Sequence, residues 1–374
     1  MVAIVGTLAA CATRPLPEPP RAPTPSVVPA PGTVIAPGDA PLPGTITRAK
    51  SQWVPVRWNE LPGWGTDALH EAWNAWLRSC ERPAPTVGAL CAEVRRLSIA
   101  TPEEQRAFIE SRLQPYRINA SDGNPNGLLT GYYEPTLKAS RTPSAEFAWP
   151  LHKLPAGVRN GQPWFSRQEM DTQPQAQAAL RGQEIAWLAD PIDMMLLHIQ
   201  GSGRLMIQQN GQTTQTVRVA FAGTNGQPYR SINTWLQQQG APITPWPEAT
   251  KTWARANPQR VNELLWSNPR YVFFREEAMS ELDAQFGPRG AQGVALTPGR
   301  SIAVDPGSLP YGTPVWMSTQ GPAGRFSKLV LAQDTGSAIV GAVRADYFTG
   351  WGDEALALAA GLKQPLQLWA LWPR

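Results

Sequence analysis

From Gly127 to its end the chain is cut into short β-type runs by glycine, asparagine and proline, and that spacing limits it to folds in which brief strands close on one another. The C-terminal part carries seven such runs: Tyr271 to Phe274, Gly293 to Leu296, Ser301 to Val304, Thr313 to Met317, Leu329 to Gln333, Ala338 to Val343 and Leu366 to Leu371. A helix is predicted from Asp353 to Gly361. Short strands joined by glycine-rich turns predict a small closed barrel.

The middle of the chain has the same texture. Leu128 to Tyr133 is a predicted strand, and Met194 to Gln200 is predicted as another that turns at Gly201-Ser202-Gly203 into Arg204 to Gln209. Asn210-Gly211 is a two-residue hairpin signal leading into Gln212 to Phe221, so this region reads as a barrel or sandwich. Helices are predicted from Ile232 to Gln238 and from Pro258 to Leu265, the latter with Asn257 as its N-cap. Residues 45 to 115 read as mostly helical: Thr66 precedes an amphipathic run bearing Leu69, Trp73, Trp76 and Leu77, and Thr101-Pro102-Glu103-Glu104 is a capping box.

With 42% apolar and 17% charged residues the chain is globular, and its 374 residues suffice for two domains. Its net charge of +4 comes from scattered Lys and Arg, which suits an acidic polymer and argues against a nucleic-acid partner.

Met1 to Ala10 is apolar and small, and Leu8-Ala9-Ala10-Cys11 places a small-residue cleavage pattern before a cysteine. This resembles a short bacterial lipoprotein signal, residues 1–11, with Cys11 as the lipidated first residue of the mature chain. Ala12-Thr13 lacks the aspartate associated with inner-membrane retention, so an outer-membrane anchor facing the periplasm is expected. A linker follows over residues 12–48, in which Pro15 to Pro43 holds eleven of the 39 prolines. Such composition favours an extended stalk.

Cys80 and Cys91 either pair, as an oxidising periplasm would allow, or stay as two buried thiols. His70, His152 and His198 are too scattered for a transition-metal cluster, so neither metal nor other cofactor is expected. Of the 16 tryptophans most read as core, Trp73 and Trp76 among them, and Trp351 beside Gly350 and Gly352 is a groove candidate.

Three aspartates sit at or just past predicted strands: Asp305 in Ala303-Val304-Asp305-Pro306, Asp334 in Gln333-Asp334-Thr335-Gly336, and Asp346 in Arg344-Ala345-Asp346-Tyr347. Acid–base chemistry at a glycosidic bond needs a carboxyl whose pKa is raised by desolvation or a like charge, and a cluster of acids at a barrel rim provides it. An Asp before Pro or Gly is also an ordinary turn former, Asp305 most of all. Asp334 stands out because the apolar run Leu329-Val330-Leu331-Ala332 delivers it to Thr335-Gly336-Ser337, where a substrate can approach the backbone. Asp334-Thr335-Gly336 is also the aspartic-protease signature, but a pepsin-like chain needs two such loops and this one has a single copy.

Four further strings, together with the aspartate segments, fix the resemblance: Leu129-Thr130-Gly131-Tyr132-Tyr133-Glu134-Pro135, His198-Ile199-Gln200-Gly201-Ser202-Gly203-Arg204, Phe221 through Tyr229, and Asn268 through Phe274. From about Gly127 onward the chain resembles the membrane-bound lytic murein transglycosylase A family, with a three-aspartate domain at its C-terminus. The resemblance implies a mainly β protein with a helical N-terminal part. Its double-psi β-barrel would comprise residues 49–134 and 268–374, with a second β-domain, residues 135–267, inserted and a glycan groove between the two.

The resemblance further implies Asp334 as the catalytic residue, with Asp305, Asp346, Thr130 and Tyr132 in support. Tyr133, Gln200, Ser202, Arg204, Asn225, Tyr229 and Gly336 would be glycan contacts. The expected partners are peptidoglycan strands, the membrane through Cys11, and cell-wall synthesis complexes. The reaction implied is cleavage between N-acetylmuramic acid and N-acetylglucosamine, with the C6 hydroxyl closing a 1,6-anhydro ring so that one carboxyl serves as acid and then base. Two other readings stay open: a non-catalytic peptidoglycan-binding barrel, and a hydrolase that uses water and a second carboxylate such as Asp346.

Overall fold

The computed structural model describes residues 41–374; Cys11, the apolar N-terminus and nearly all of the proline-rich tract lie outside the described residues. The strands in chain order are β1 (Ile46–Thr47), β2 (Gln52–Pro55), β3 (Leu113–Asn119), β4 (Gly127–Glu134), β5 (Thr136–Ser140), β6 (Trp149–His152), β7 (Glu184–Leu188), β8 (Ser202–Gln209), β9 (Gln212–Thr224), β10 (Val272–Ala278), β11 (Ser301–Val304), β12 (Pro314–Gly321), β13 (Gly324–Asp334), β14 (Arg344–Trp351) and β15 (Lys363–Pro373). They form two sheets.

The first sheet runs β1-β2-β3-β15-β12-β13-β11-β14-β4, and β15 also pairs with β4. The strands β15, β12, β13, β11, β14 and β4 therefore make a closed ring of pairings, as the short runs predicted. Two of its contacts, β11 with β13 and β14 with β4, are parallel. Alternation along β13 builds both of its cores. Val330 and Ala332 point into the ring with Val304, Ala345, Leu129 and Leu368. Leu329 and Leu331 point outward onto Trp73, Trp76, Phe108 and Ile109 of the N-terminal helices.

Those helices are formed as the sequence suggests. Leu69–Ser79 buries Leu69, Trp73 and Trp76 on one face. Pro102–Arg112 carries the expected capping box, with the Thr101 side chain bonded to the Glu104 amide and the Glu104 carboxylate to the Thr101 amide. Thr66, by contrast, caps nothing: Ala68 occupies the N-cap position, and the Thr66 hydroxyl donates to the Gly63 carbonyl. Cys80 and Cys91 are joined in a disulfide that ties the end of Leu69–Ser79 to the start of the helix Cys91–Arg96.

The second sheet has the order β10-β9-β8-β5-β7-β6. Asn210 and Gly211 take positive φ at the β8–β9 turn, as the hairpin signal predicted. Because β10 pairs with β9, this sheet extends to Ala278, past the boundary expected at residue 267.

Four expectations fail. Met194 to Gln200 is not a strand but the end of a helix, Pro191–Gln200. The Asp190 carboxylate caps the Ile192 amide, Pro191 occupies the first turn, and Gly201 at φ 80° ends the helix in place of starting a hairpin. The run Met-Met-Leu-Leu has no β-branching to oppose that signal. Gly293 to Leu296 and Ala338 to Val343 are loops, and the real strand, β14, begins at Arg344. Lastly, Asn257 does not cap the following helix; its amide donates to the Trp253 carbonyl of the preceding one. Among the described residues no helix is long and apolar enough to cross a membrane.

Candidate active site

Asp334 is the last residue of β13, where the strand leaves the barrel wall. Its register partner on β11 is Ala303; the partner of Ala303 on β14 is Asp346; and that of Asp346 on β4 is Thr130. Asp334, Ala303, Asp346 and Thr130 are thus paired in one row across four strands, a register shift between Ile302 and Ala303 bringing Asp334 and not Gln333 opposite Ala303. Ala303, the residue between Asp334 and Asp346 in this row, is buried at 3% exposure.

Two residues beyond Thr130, and so on the same face of β4, the Tyr132 hydroxyl donates to Oδ2 of Asp334 at 2.9 Å. The Ala291 amide donates to Oδ1 at 2.9 Å. Gly290 permits this approach, since a Cβ there would lie 2.5 Å from the Gln333 carbonyl and 3.1 Å from the Asp334 Cβ. Burial pushes the Asp334 carboxyl up to about 6, with a further upward push from the charge of Asp346. The amides of Thr335 and Ala291 and the Tyr132 hydroxyl oppose that rise. The half-buried residue therefore holds its proton much closer to neutrality than an ordinary aspartate.

Asp346 accepts a 2.5 Å hydrogen bond from Thr130, whose hydroxyl in turn receives Nη2 of Arg344 at 2.8 Å. Burial raises its pKa, while Thr130 and Arg344 pull the other way. Asp305 is different in kind. Its carboxylate binds Lys50 at 2.8 Å and the amides of Gly307 at 3.0 Å and Gly341 at 2.8 Å. Burial alone would raise its pKa, but these donors outweigh it and hold the group below the usual carboxylate range. It is the turn former that Asp-Pro-Gly suggests, and it makes no hydrogen bond to Asp334.

Four expected glycan contacts are turned into the protein instead. Tyr133 packs against Leu196, Ala355 and Ala359, and its amide donates to Gln200 Oε1 at 3.1 Å. Ser202 is buried in β8. Asn225 is fully buried, donating to the carbonyls of Phe165 and Pro269 and accepting from the Tyr271 amide. Arg204 joins Arg218 around Glu134, which is 0% exposed; Nε of each arginine lies within 2.7 Å of the carboxylate. Both arginines also donate to the Phe286 carbonyl, and Trp351 stacks on the Arg204 guanidinium at 4.1 Å. A buried carboxylate needs such partners, and both guanidiniums are engaged with it. Tyr229, Gln200 and Gly336 stay half-buried. Sequence reasoning missed the Ala291 amide and the spacer Ala303. A backbone donor leaves no residue-type signal, and the register that aligns Ala303 depends on β14, which was not predicted.

A carboxyl pushed up to about 6 by burial at a strand end, bonded on both oxygens and set on a barrel beside a second sheet, is an arrangement suited to general acid–base chemistry. The MltA specific insert domain matches residues 128–275 and the 3D domain residues 300–372. A membrane-bound lytic murein transglycosylase A of Vibrio cholerae is 30% identical over 271 residues, 69% of each chain. Among solved structures, the lytic transglycosylase LtgG of Burkholderia pseudomallei is 41% identical, covering 90% of this chain and 98% of its own at a TM-score of 0.58. MltA from Neisseria gonorrhoeae is 27% identical, with 89% and 96% covered and a TM-score of 0.73. The chain belongs to the membrane-bound lytic murein transglycosylase A family.

Proposed function

We propose that Asp334 is the single acid and base of a lytic transglycosylase reaction on murein. As a member of its family the chain acts on peptidoglycan, and the aspartic-protease reading of Asp334-Thr335-Gly336 falls away. The observation that carries the residue assignment is the carboxyl pushed up to about 6 between the Tyr132 hydroxyl and the Ala291 amide. A group of that pKa is partly protonated when substrate arrives and returns readily to the ionised form. It protonates the oxygen between N-acetylmuramic acid and N-acetylglucosamine, and the conjugate base then takes the proton of the C6 hydroxyl as that oxygen closes on C1. The intramolecular nucleophile gains from proximity and needs no second carboxylate to activate water. Asp346, bonded to Thr130 and lying two strands away, contributes charge that keeps Asp334 protonated.

The same reading takes the closed ring as a double-psi barrel and the second sheet as the inserted domain, with the glycan between them near Thr130, Tyr132, Tyr229 and Gly336. It keeps a lipid on Cys11, an outer-membrane location and association with cell-wall synthesis complexes. Mass analysis of murein sacculi digested by the protein tests the chemistry: 1,6-anhydro ends support it, reducing ends indicate a hydrolase, and intact sacculi a binding module.

A further inference from the structure

Beside the hydrogen bond from the Ala291 amide to Asp334 lies a second pair of residues, one position along each of the two segments. The Gln292 amide donates to the Gln333 carbonyl at 3.0 Å, so Gln292 and Gln333 meet beside Ala291 and Asp334. Both glutamine side chains reach the same hydroxyl. Nε2 of Gln333 donates to Oγ of Ser79 at 2.8 Å, and that hydroxyl donates onward to Oε1 of Gln292 at 3.2 Å.

The remaining bonds complete a one-way series. The Thr297 amide donates to Ser301, Ser301 to Oε1 of Gln333, and Nε2 of Gln333 also to the Ala75 carbonyl. Nε2 of Gln292 ends the series on the carbonyls of Ser79 and Arg82. Every donor has an acceptor, and Ser79 takes both roles. Ser79 is the last residue of the helix Leu69–Ser79, buried beside the Cys80–Cys91 disulfide.

We propose that Gln292 and Ser79 are positioning residues for the reaction: one shared hydroxyl at a helix end fixes where the Ala291 amide meets the Asp334 carboxyl. The inference rests on Asp334 being the acid. Neither residue carries charge, so removing their side chains alters the site through geometry alone. The titratable and charged groups acting on Asp334 are Tyr132 from β4, Asp346 with its neighbour Arg344 from β14, and Tyr311 from the loop before β12; all of them remain. Because the amide lowers the Asp334 pKa, loosening it raises that pKa. The limb on which kcat/KM falls with rising pH then moves to higher pH.

The test compares Ser79→Ala and Gln292→Met with the unaltered protein in soluble murein cleavage across pH, alongside Asp334→Asn. Alanine suits a helix end, and methionine keeps the glutamine's length, so both variants retain the fold. The expected result is a kcat lower by roughly ten- to a hundred-fold with the limb displaced to higher pH in both. A lowered melting temperature with kcat and the limb unmoved would overturn the proposal and leave the network purely structural. Residual cleavage by Asp334→Asn would place the fault in the acid assignment instead.

Discussion

Tyr132 donates its phenolic hydrogen to Asp334 from β4, a strand separated from β13 by two others in the sheet. The hydrogen bond spans the rim of the barrel and stabilises the ionised carboxyl, opposing the burial that raises its pKa. Tyr132→Phe removes that opposition, so the Asp334 pKa rises and activity extends to higher pH. At the optimum the rate drops by about 10–100-fold, since the conjugate base loses a donor. A pH profile of kcat/KM on soluble murein fragments checks both effects; a profile that moves to lower pH would contradict the hydrogen-bond assignment.

Asp334→Asn separates activity from stability. The folded carboxyl has a pKa of about 6 against about 4 in an unfolded chain. A raised folded pKa contributes stability only below the unfolded value, and that contribution is lost as pH rises through the folded one. At pH 7 the native aspartate is therefore a burden on the fold. The asparagine variant is expected to be inactive yet more stable by about 1–2 kcal/mol, allowing for the partial exposure of the group. Urea unfolding at pH 7 and at pH 4 measures this, with the gain vanishing at the lower pH.

Asp346→Asn removes the charge that pushes Asp334 upward. The Asp334 pKa then falls and the active pH range moves to lower values, with anhydro products retained. Product masses decide the point: loss of all cleavage, from a protein that otherwise yields reducing ends, identifies Asp346 as the second carboxylate of a hydrolase.

The Cys80–Cys91 bond closes a loop between residues 11 apart. Its removal in a Cys80→Ala, Cys91→Ala double variant is expected to cost roughly 2–4 kcal/mol, chiefly by freeing the unfolded chain. Guanidinium unfolding of the native protein with and without reductant gives an independent reading, and reduction of the double variant changes nothing.

The elements that sequence patterning reveals best here are those whose signals are local. The capping box at Thr101, the Asn210-Gly211 turn and the apolar run into Asp334 each act within a few residues, and each is found where expected. Arg204, which the resemblance implies as a glycan contact, pairs with Glu134, and nothing in the sequence announces a partner 70 positions away. The helix Pro191–Gln200 misleads for the opposite reason: its capping signal, Asp190-Pro191, is local, but the glycines after it imitate a hairpin turn. The row from Asp334 to Thr130 has no trace in sequence, since it depends on the pairing of four strands.

That row also bears on when the protein becomes dangerous to the cell that makes it. Its members are residues 334, 303, 346 and 130, the donors are 132 and 291, and β15, the final strand, closes the ring that aligns them. Contacts so distant along the chain are slow to form, because loop-closure entropy must be met before they stabilise anything. Before they form, Asp334 lacks the burial and the Asp346 charge that raise its pKa, and it is ionised at neutral pH. On the role proposed for Asp334, the tool that opens the wall is thus harmless while still an unfolded thread.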